Sequence, residues 1–204
     1  MIPNENLSLE TFLQSTITDI ASIVPSAVVY TMGGTRRAAA IAGIKPESDA
    51  YIEWTRQQMV QGVDLLFRHG VQHVFVMAIT PDNYQESGAY RQKLFEFTDW
   101  GIAGPEAMAD YGRFGWRVRL LGSEDIPELQ PTAERLLQYT AQVSNHTLWC
   151  LTVPDEDAPW RQILQTNAHT RQEAIQALYG EAIPPITMFL STGKPMFTLN
   201  LLPP

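Results

Sequence analysis

The sequence predicts an α/β fold, a mostly parallel central sheet flanked by helices. Three observations carry this reading. Short apolar runs of strand length recur along the chain, longer stretches with apolar residues at helical spacing separate them, and Gly, Pro, Asp and Asn mark the boundaries. A chain of 204 residues with 45% hydrophobic content can bury a full core. Neither a repeat nor a low-complexity linker divides it, so a single domain over 1–204 is expected.

Taken in order, Leu7, Leu9, Phe12, Leu13 and Ile17 recur at helical spacing in a polar background. They predict a short amphipathic helix packed on the domain. Residues 27–32 read as a buried strand, and 37–42 as the alanine-rich start of a helix. A long helix follows over 49–69, with Ile52, Trp54, Met59, Val63, Leu65, Leu66 and Phe67 as its apolar positions and Gly70 as its end. Residues 74–79 form a second apolar run, closed by Thr80-Pro81-Asp82-Asn83. A helical stretch over 90–110 has a break at 101–105, and 116–121 alternates as a third strand stopped by Gly122. Helix is expected over 131–143, a fourth strand over 148–153, and a helix over 170–179 opened by Thr170 with Glu173 three residues later. The C-terminal part has apolar runs at 186–190 and 196–202 around a break at 191–195.

Ligands on parallel sheets bind beyond the carboxyl ends of the strands. Turns at 33–37, 82–83, 154–157 and 191–194 all fall there, so they are candidates to converge. The most informative of them is Gly33-Gly34-Thr35-Arg36-Arg37. A glycine pair between a strand and a helix lets the backbone approach a ligand closely, and the amides of a helix start suit an anion. Two adjacent arginines add charged donors matched to phosphate geometry. The stretch reads as a diphosphate cradle, against the alternative of a tight turn carrying two solvated arginines.

Composition narrows the partners. A formal net charge of −8 and a pI near 4.9 argue against nucleic-acid binding, which needs a basic stripe. The arginine pair is a local exception, as befits a small anionic ligand. Cys150 lies inside an apolar run and reads as a buried structural thiol. No segment approaches the roughly 20 apolar residues of a membrane span. The N-terminus lacks a signal-peptide pattern, so a cytoplasmic location is expected. His69 and His73 flank Gly70 and are not expected to form a metal pair; no Gly-x-Ser-x-Gly elbow is present, and Gly193-Lys194 lacks the upstream glycine of a P-loop.

The order of strand, Gly-Gly-Thr-Arg-Arg turn, and long helix ending Leu66-Phe67-Arg68-His69-Gly70-Val71 resembles the cis-prenyltransferase superfamily. The resemblance is closest to its non-elongating diterpene synthase branch, of tuberculosinol and kolavelool type. It continues through Asp49-Ala50-Tyr51, Gly88-Ala89-Tyr90, Thr170-Arg171-Gln172-Glu173, Tyr179-Gly180-Glu181 and Ser191-Thr192-Gly193-Lys194, covering most of the chain in order. It implies an allylic prenyl diphosphate as substrate. Gly33, Gly34, Thr35, Arg36 and Arg37 would hold the diphosphate, with Arg36, Arg37 and Tyr51 in catalytic roles. Tyr51 matches a tyrosine near the reacting carbons, with a helix-surface aromatic as the alternative. Asp82, Asn83, Ser191 and Thr192 are candidate substrate contacts, and plain turns are their alternative. Leu94, Phe95, Phe97 and Trp100, with Met59 and Leu66, form a stripe that is either core or part of a prenyl pocket.

Two departures qualify the resemblance. Gly33 stands where the family has an aspartate that holds Mg²⁺ against the diphosphate, and glycine offers no side-chain oxygen. Asp155, Glu156 and Asp157 are the candidate substitutes, with a solvated acidic loop as the alternative. Near the C-terminus, Ser191 to Pro195 lacks the arginine with which elongating members bind a second diphosphate, and Lys194 is a weaker anion site. The chain stops at Pro204, short of the tail that supports pairing in the superfamily, so a homodimer is an open expectation. The expected function is a terpene synthase-like enzyme that ionises the diphosphate and quenches the cation with water or by proton loss. The alternatives are a prenyltransferase using a nucleophile other than isopentenyl diphosphate, and a catalytically weak subunit that binds a prenyl diphosphate.

Overall fold

The computed structural model describes residues 8–193 apart from 47, 86 and 125, and leaves undescribed the side chains of 89, 90 and 93. Lys194 and the apolar run at 196–202 therefore lie outside the described residues. Five strands, β1 (Ala27–Thr31), β2 (His73–Ile79), β3 (Arg117–Leu121), β4 (Thr147–Thr152) and β5 (Met188–Ser191), form one sheet in the order β3-β4-β2-β1-β5. Every pairing is parallel, with Val28 opposite Val74 and Met188, and Val74 opposite Leu148. All six residues of β4 are buried, as expected for a central strand covered on both faces.

The helices are α1 (Leu9–Leu13), α2 (Ile17–Ala21), α3 (Thr35–Ile41), α4 (Asp49–Arg68), α5 (Pro81–Gln85), α6 (Gly88–Ala103), α7 (Pro105–Phe114), α8 (Gln130–Tyr139), α9 (Ala158–Gln165) and α10 (Arg171–Tyr179). Val28, Tyr30, Val74, Val76, Val118, Leu120, Leu148 and Cys150 turn one face of the sheet toward Met59, Val63 and Phe67 of α4, Phe95 of α6, Tyr111 of α7 and Leu136 of α8. Ala27, Val29, Phe75, Trp149 and Leu151 form the other core, with Tyr179 of α10 packed edge-on to Trp149 and Phe75. The period of two along each strand thus feeds two separate cores. Burial pushes the Cys150 thiol up to about 12, as fits a structural cysteine.

Several boundaries follow from local chemistry. Thr170 accepts a hydrogen bond from the Glu173 amide at 3.2 Å and starts α10. Pro105 occupies the first turn of α7, where its missing N–H costs nothing, and Gly104 separates it from α6. Helix α8 ends at Tyr139 instead of running to 143, because Thr140 turns extended and its hydroxyl donates to the Leu136 carbonyl at 2.7 Å. The amphipathic helix expected at the N-terminus is instead two short ones. A capping box on Thr16 and Asp19 restarts the helix, and Leu9, Leu13 and Ile17 are exposed, not packed on the sheet domain. Leu7 lies outside the described residues. Helix α9 arises where only an acidic turn was expected, with Pro159 in its first turn.

Candidate active site

The turn after β1 is built by close backbone contact. Thr31 pairs in register with Ser191, and the Thr192 amide donates to the Thr31 carbonyl at 3.1 Å. This lays Gly193 directly on Gly33. A Cβ at position 193 would sit 2.3 Å from the Gly33 carbonyl carbon, and one at position 33 would sit 3.0 Å from the Gly193 Cα. Gly34 then takes φ +72°, a left-handed conformation that glycine adopts without strain, and serves as N-cap of α3. The first hydrogen bond of α3 runs from the Ala38 amide to the Gly34 carbonyl at 3.0 Å, so the amides of Thr35, Arg36 and Arg37 take part in no helical bond.

Arg36 and Arg37 are exposed, and neither side chain makes an ion pair or hydrogen bond with another described residue. Arg37 folds back over the turn: a guanidinium nitrogen lies 3.2 Å from the place a Gly34 Cβ would take. Tyr51, in the first turn of α4, reaches across to α3, where its phenol oxygen lies 2.8 Å from Thr35 Oγ1. Both residues are half-buried. Helix α4 sits low enough on β1 to make this contact because Gly62 leaves room for the Tyr30 ring; a Cβ there would meet the Tyr30 hydroxyl at 2.5 Å.

Gly33, Gly34, Thr35, Arg36, Arg37, Tyr51, Ser191 and Thr192 therefore share one edge of the sheet. Asp82 and Asn83 stand in α5, at the end of the neighbouring strand β2. Asp82 is exposed. The Asn83 carboxamide is engaged locally: its Oδ1 accepts from the Thr80 amide at 3.3 Å and from the Thr80 hydroxyl at 3.1 Å. Asp155 and Asp157 lie beyond β4, which β2 separates from β1. Two strand spacings of about 4.8 Å put that turn roughly 10 Å from Gly33. Asp155 accepts both guanidinium nitrogens of Arg161 at 2.8 and 2.7 Å, and the Asp157 amide at 3.0 Å. Those hydrogen bonds hold its carboxyl below the ordinary range.

The donor set at the turn does not fit a protein-held Mg²⁺. Position 33 has no side-chain oxygen and no room for one unless Gly193 gives way, and the carboxylate of Asp155 is taken up by Arg161. Among the described residues no group of three His, Cys, Asp or Glu side chains is placed to hold a metal ion. His69 and His73 have separate duties: His69 Nδ1 lies 2.7 Å from the Leu65 carbonyl oxygen, and His73 Nδ1 accepts from the Trp149 indole at 3.2 Å. Among the described residues no helix is long and apolar enough to cross a membrane.

Of the apolar stripe, Met59 and Phe95 are buried in the core beneath α4 and α6, and Leu66 packs against it. A cavity of about 360 Å³ lies on the opposite face, between β3, β4, α9 and α10, lined in part by Leu121, Leu151, Gln162 and Tyr179. The sequence reading missed three polar groups on the α4 side. Thr55, one turn after Tyr51, is 7% exposed and its hydroxyl has no partner among the described residues; the same holds for the buried Tyr111 hydroxyl. Arg56, also 7% exposed, bridges Glu53 at 2.7 Å and Asp110 of α7. The spacing of four from Tyr51 was the readable signal for Thr55.

No family model matches the sequence. The chain is 37% identical over 202 residues to (+)-kolavelool synthase of Herpetosiphon aurantiacus, covering 97% of this chain and 70% of that protein. Its fold is similar to a probable undecaprenyl diphosphate synthase from Campylobacter jejuni, with TM-score 0.52 and 13% identity over 86% of this chain and 78% of the other. It is also similar to lavandulyl diphosphate synthase from Lavandula x intermedia, solved with dimethylallyl diphosphate, at TM-score 0.55 and 15% identity over 89% and 85% of the two chains. With identity of this level sustained along nearly its whole length, the chain belongs to the cis-prenyltransferase superfamily, in the branch of the kolavelool-type diterpene synthases.

Proposed function

We propose that this protein is a terpene synthase that ionises an allylic prenyl diphosphate at the turn after β1 and ends the reaction with water or by proton loss. The observation that carries the reading is the pair Arg36 and Arg37, exposed without a counter-charge among the described residues and with Arg37 folded over a glycine turn whose amides are free of helical bonds. As the carbon–oxygen bond breaks, negative charge grows on the diphosphate. Preorganised charged donors aimed at that charge are the largest single lever for the step. Ser191 and Thr192, held against the turn by β5, would contact the same group, and Asp82 and Asn83 would flank it from β2. Tyr51 stands at the inner side of the turn, where a phenol can orient water or take a proton. The relative named (+)-kolavelool synthase supports this class of activity.

Mg²⁺ would have to be held by the diphosphate itself, since the chain offers it no carboxylate at position 33. The same glycine favours a second reading, a subunit that binds a prenyl diphosphate and turns it over weakly. Incubation with geranyl, farnesyl, geranylgeranyl and bicyclic diterpenyl diphosphates, with Mg²⁺ or EDTA, followed by gas chromatography–mass spectrometry, separates the two. A discrete alcohol or olefin from one substrate is expected. Intact diphosphate in every lane, with tight binding, would leave the subunit reading.

A further inference from the structure

We propose that Thr35 carries the proton released at the end of the reaction from Tyr51 to the departing diphosphate, which is the terminal base. This rests on the reading of the β1 turn as the diphosphate site. The Thr35 hydroxyl does not cap its helix, because the N-cap is Gly34 and no side chain fills that role. Its one hydrogen bond among the described residues is the 2.8 Å contact with the Tyr51 phenol, made across 16 positions of sequence. No carboxylate among the described residues hydrogen-bonds Tyr51, and the neighbouring cations are Arg36 and Arg37.

A neutral phenol takes up a proton only as it gives up its own. Each hydroxyl has one hydrogen to donate and two lone pairs to accept with. Two hydroxyls in contact therefore share one hydrogen and leave the other free to point outward. In the polarity that the reaction needs, Tyr51 donates to Thr35 Oγ1, and Thr35 donates to a diphosphate oxygen.

The balance then closes without a further reactant. Cleavage of the carbon–oxygen bond leaves an allylic cation and free diphosphate. Water adds to the cation through its oxygen and loses a proton to the Tyr51 oxygen. The Tyr51 proton moves to Thr35 Oγ1, and the Thr35 proton to the diphosphate. The products are the alcohol and protonated diphosphate, and both side chains end neutral with their hydrogen bond reversed. Proton loss from a carbon of the cation runs along the same path and gives the olefin. Ionisation and quenching are thereby coupled: the base is created by the first step.

The test uses Thr35→Val, Thr35→Ser, Tyr51→Phe and the double variant Thr35→Val/Tyr51→Phe in the full chain. Inorganic diphosphate binding is measured by calorimetry, and single-turnover rates with whichever prenyl diphosphate the wild type converts. Thr35→Val should lose about tenfold in affinity for inorganic diphosphate, with the hydrogen bond its hydroxyl gives, yet at saturating substrate lose roughly 10²-fold or more in turnover, the size of a general-base contribution. Thr35→Ser should recover most of it. The double variant should be no slower than Tyr51→Phe, since the two hydroxyls act as one unit. A loss in Thr35→Val that only tracks its binding, or multiplicative losses in the double variant, would overturn the relay and leave the diphosphate site standing. Wild type that neither binds inorganic diphosphate nor turns over any substrate would overturn the site itself, and the relay with it.

Discussion

Two turns at the same edge of the sheet carry dense charge and treat it in opposite ways. After β4, Asp155 is held by both arms of Arg161 and by the Asp157 amide, so that carboxylate is paired at the start of α9. After β1, the exposed Arg36 and Arg37 have no side-chain partner among the described residues, and they stand beside amides that the helix does not use. Charge written in a sequence is thus a poor guide to charge that a ligand can use. What distinguishes the turns is whether a counter-ion comes back within reach. Arg161 lies six residues after Asp155, on the helix that the turn opens. Among the described residues no carboxylate pairs with Arg36 or Arg37.

The largest effect is expected from Arg36→Ala/Arg37→Ala. Turnover of the prenyl diphosphate should fall by about 10³-fold or more, while unfolding in urea stays within about 0.5 kcal/mol of wild type, since both side chains are exposed and neither makes an ion pair with another described residue. A destabilised double variant would show these arginines to be structural after all. Arg56→Met provides the inverse. Its guanidinium side chain is 6% exposed and bound to Glu53 and Asp110, so it is consumed by the packing of α4 on α7. Removing it should cost about 1–3 kcal/mol of stability through the loss of its charge-assisted hydrogen bonds, while Asp110 keeps Arg113 and Glu53 keeps Gln57.

Smaller effects sharpen the contrast. Gly193→Ala places a Cβ 2.3 Å from the Gly33 carbonyl carbon and must displace the β1 turn. A cost of about 1–3 kcal/mol is expected, with weakened binding of inorganic diphosphate. Gly33→Asp meets the same obstacle from the other side, so it is best read together with its unfolding curve. Asp155→Asn should leave turnover unchanged. The Asp155 carboxyl is held below its ordinary value of 3.8 by Arg161, so its contribution to stability is present above that value and is lost as the pH falls below it. The asparagine variant should show a slightly flatter acid limb in a pH series of thermal unfolding; turnover loss in it would place the acidic turn at the reaction after all.

The fold was legible wherever hydrophobic period and punctuation agreed. Helix α4 emerges almost to the residue, because its apolar face and Gly70 point the same way, and β1 to β4 follow from their apolar runs. Helix α9 was missed because an eight-residue helix behind an acidic turn leaves too short a periodic signal. The N-terminal helix was misjudged because apolar spacing does not reveal whether a surface exists to receive it. At the site, the glycine turn and its arginines were readable, as was Tyr51 through the family resemblance. Three things were not. The Thr35–Tyr51 contact depends on how α3 meets α4, the Gly33–Gly193 contact on the parallel pairing of β5 with β1, and the distance of Asp155 on strand order. Each joins positions far apart in sequence, where no local pattern reaches.

The most direct test of the central claim is calorimetric titration of inorganic diphosphate into the wild type and into Arg36→Ala/Arg37→Ala, each with and without EDTA. The account predicts that the wild type binds and that affinity drops at least about 10²-fold in the double variant, as for the loss of two charge-assisted hydrogen bonds of about 1.5–3 kcal/mol each. Equal affinity in the two proteins would contradict it, and would place the diphosphate somewhere other than the turn after β1.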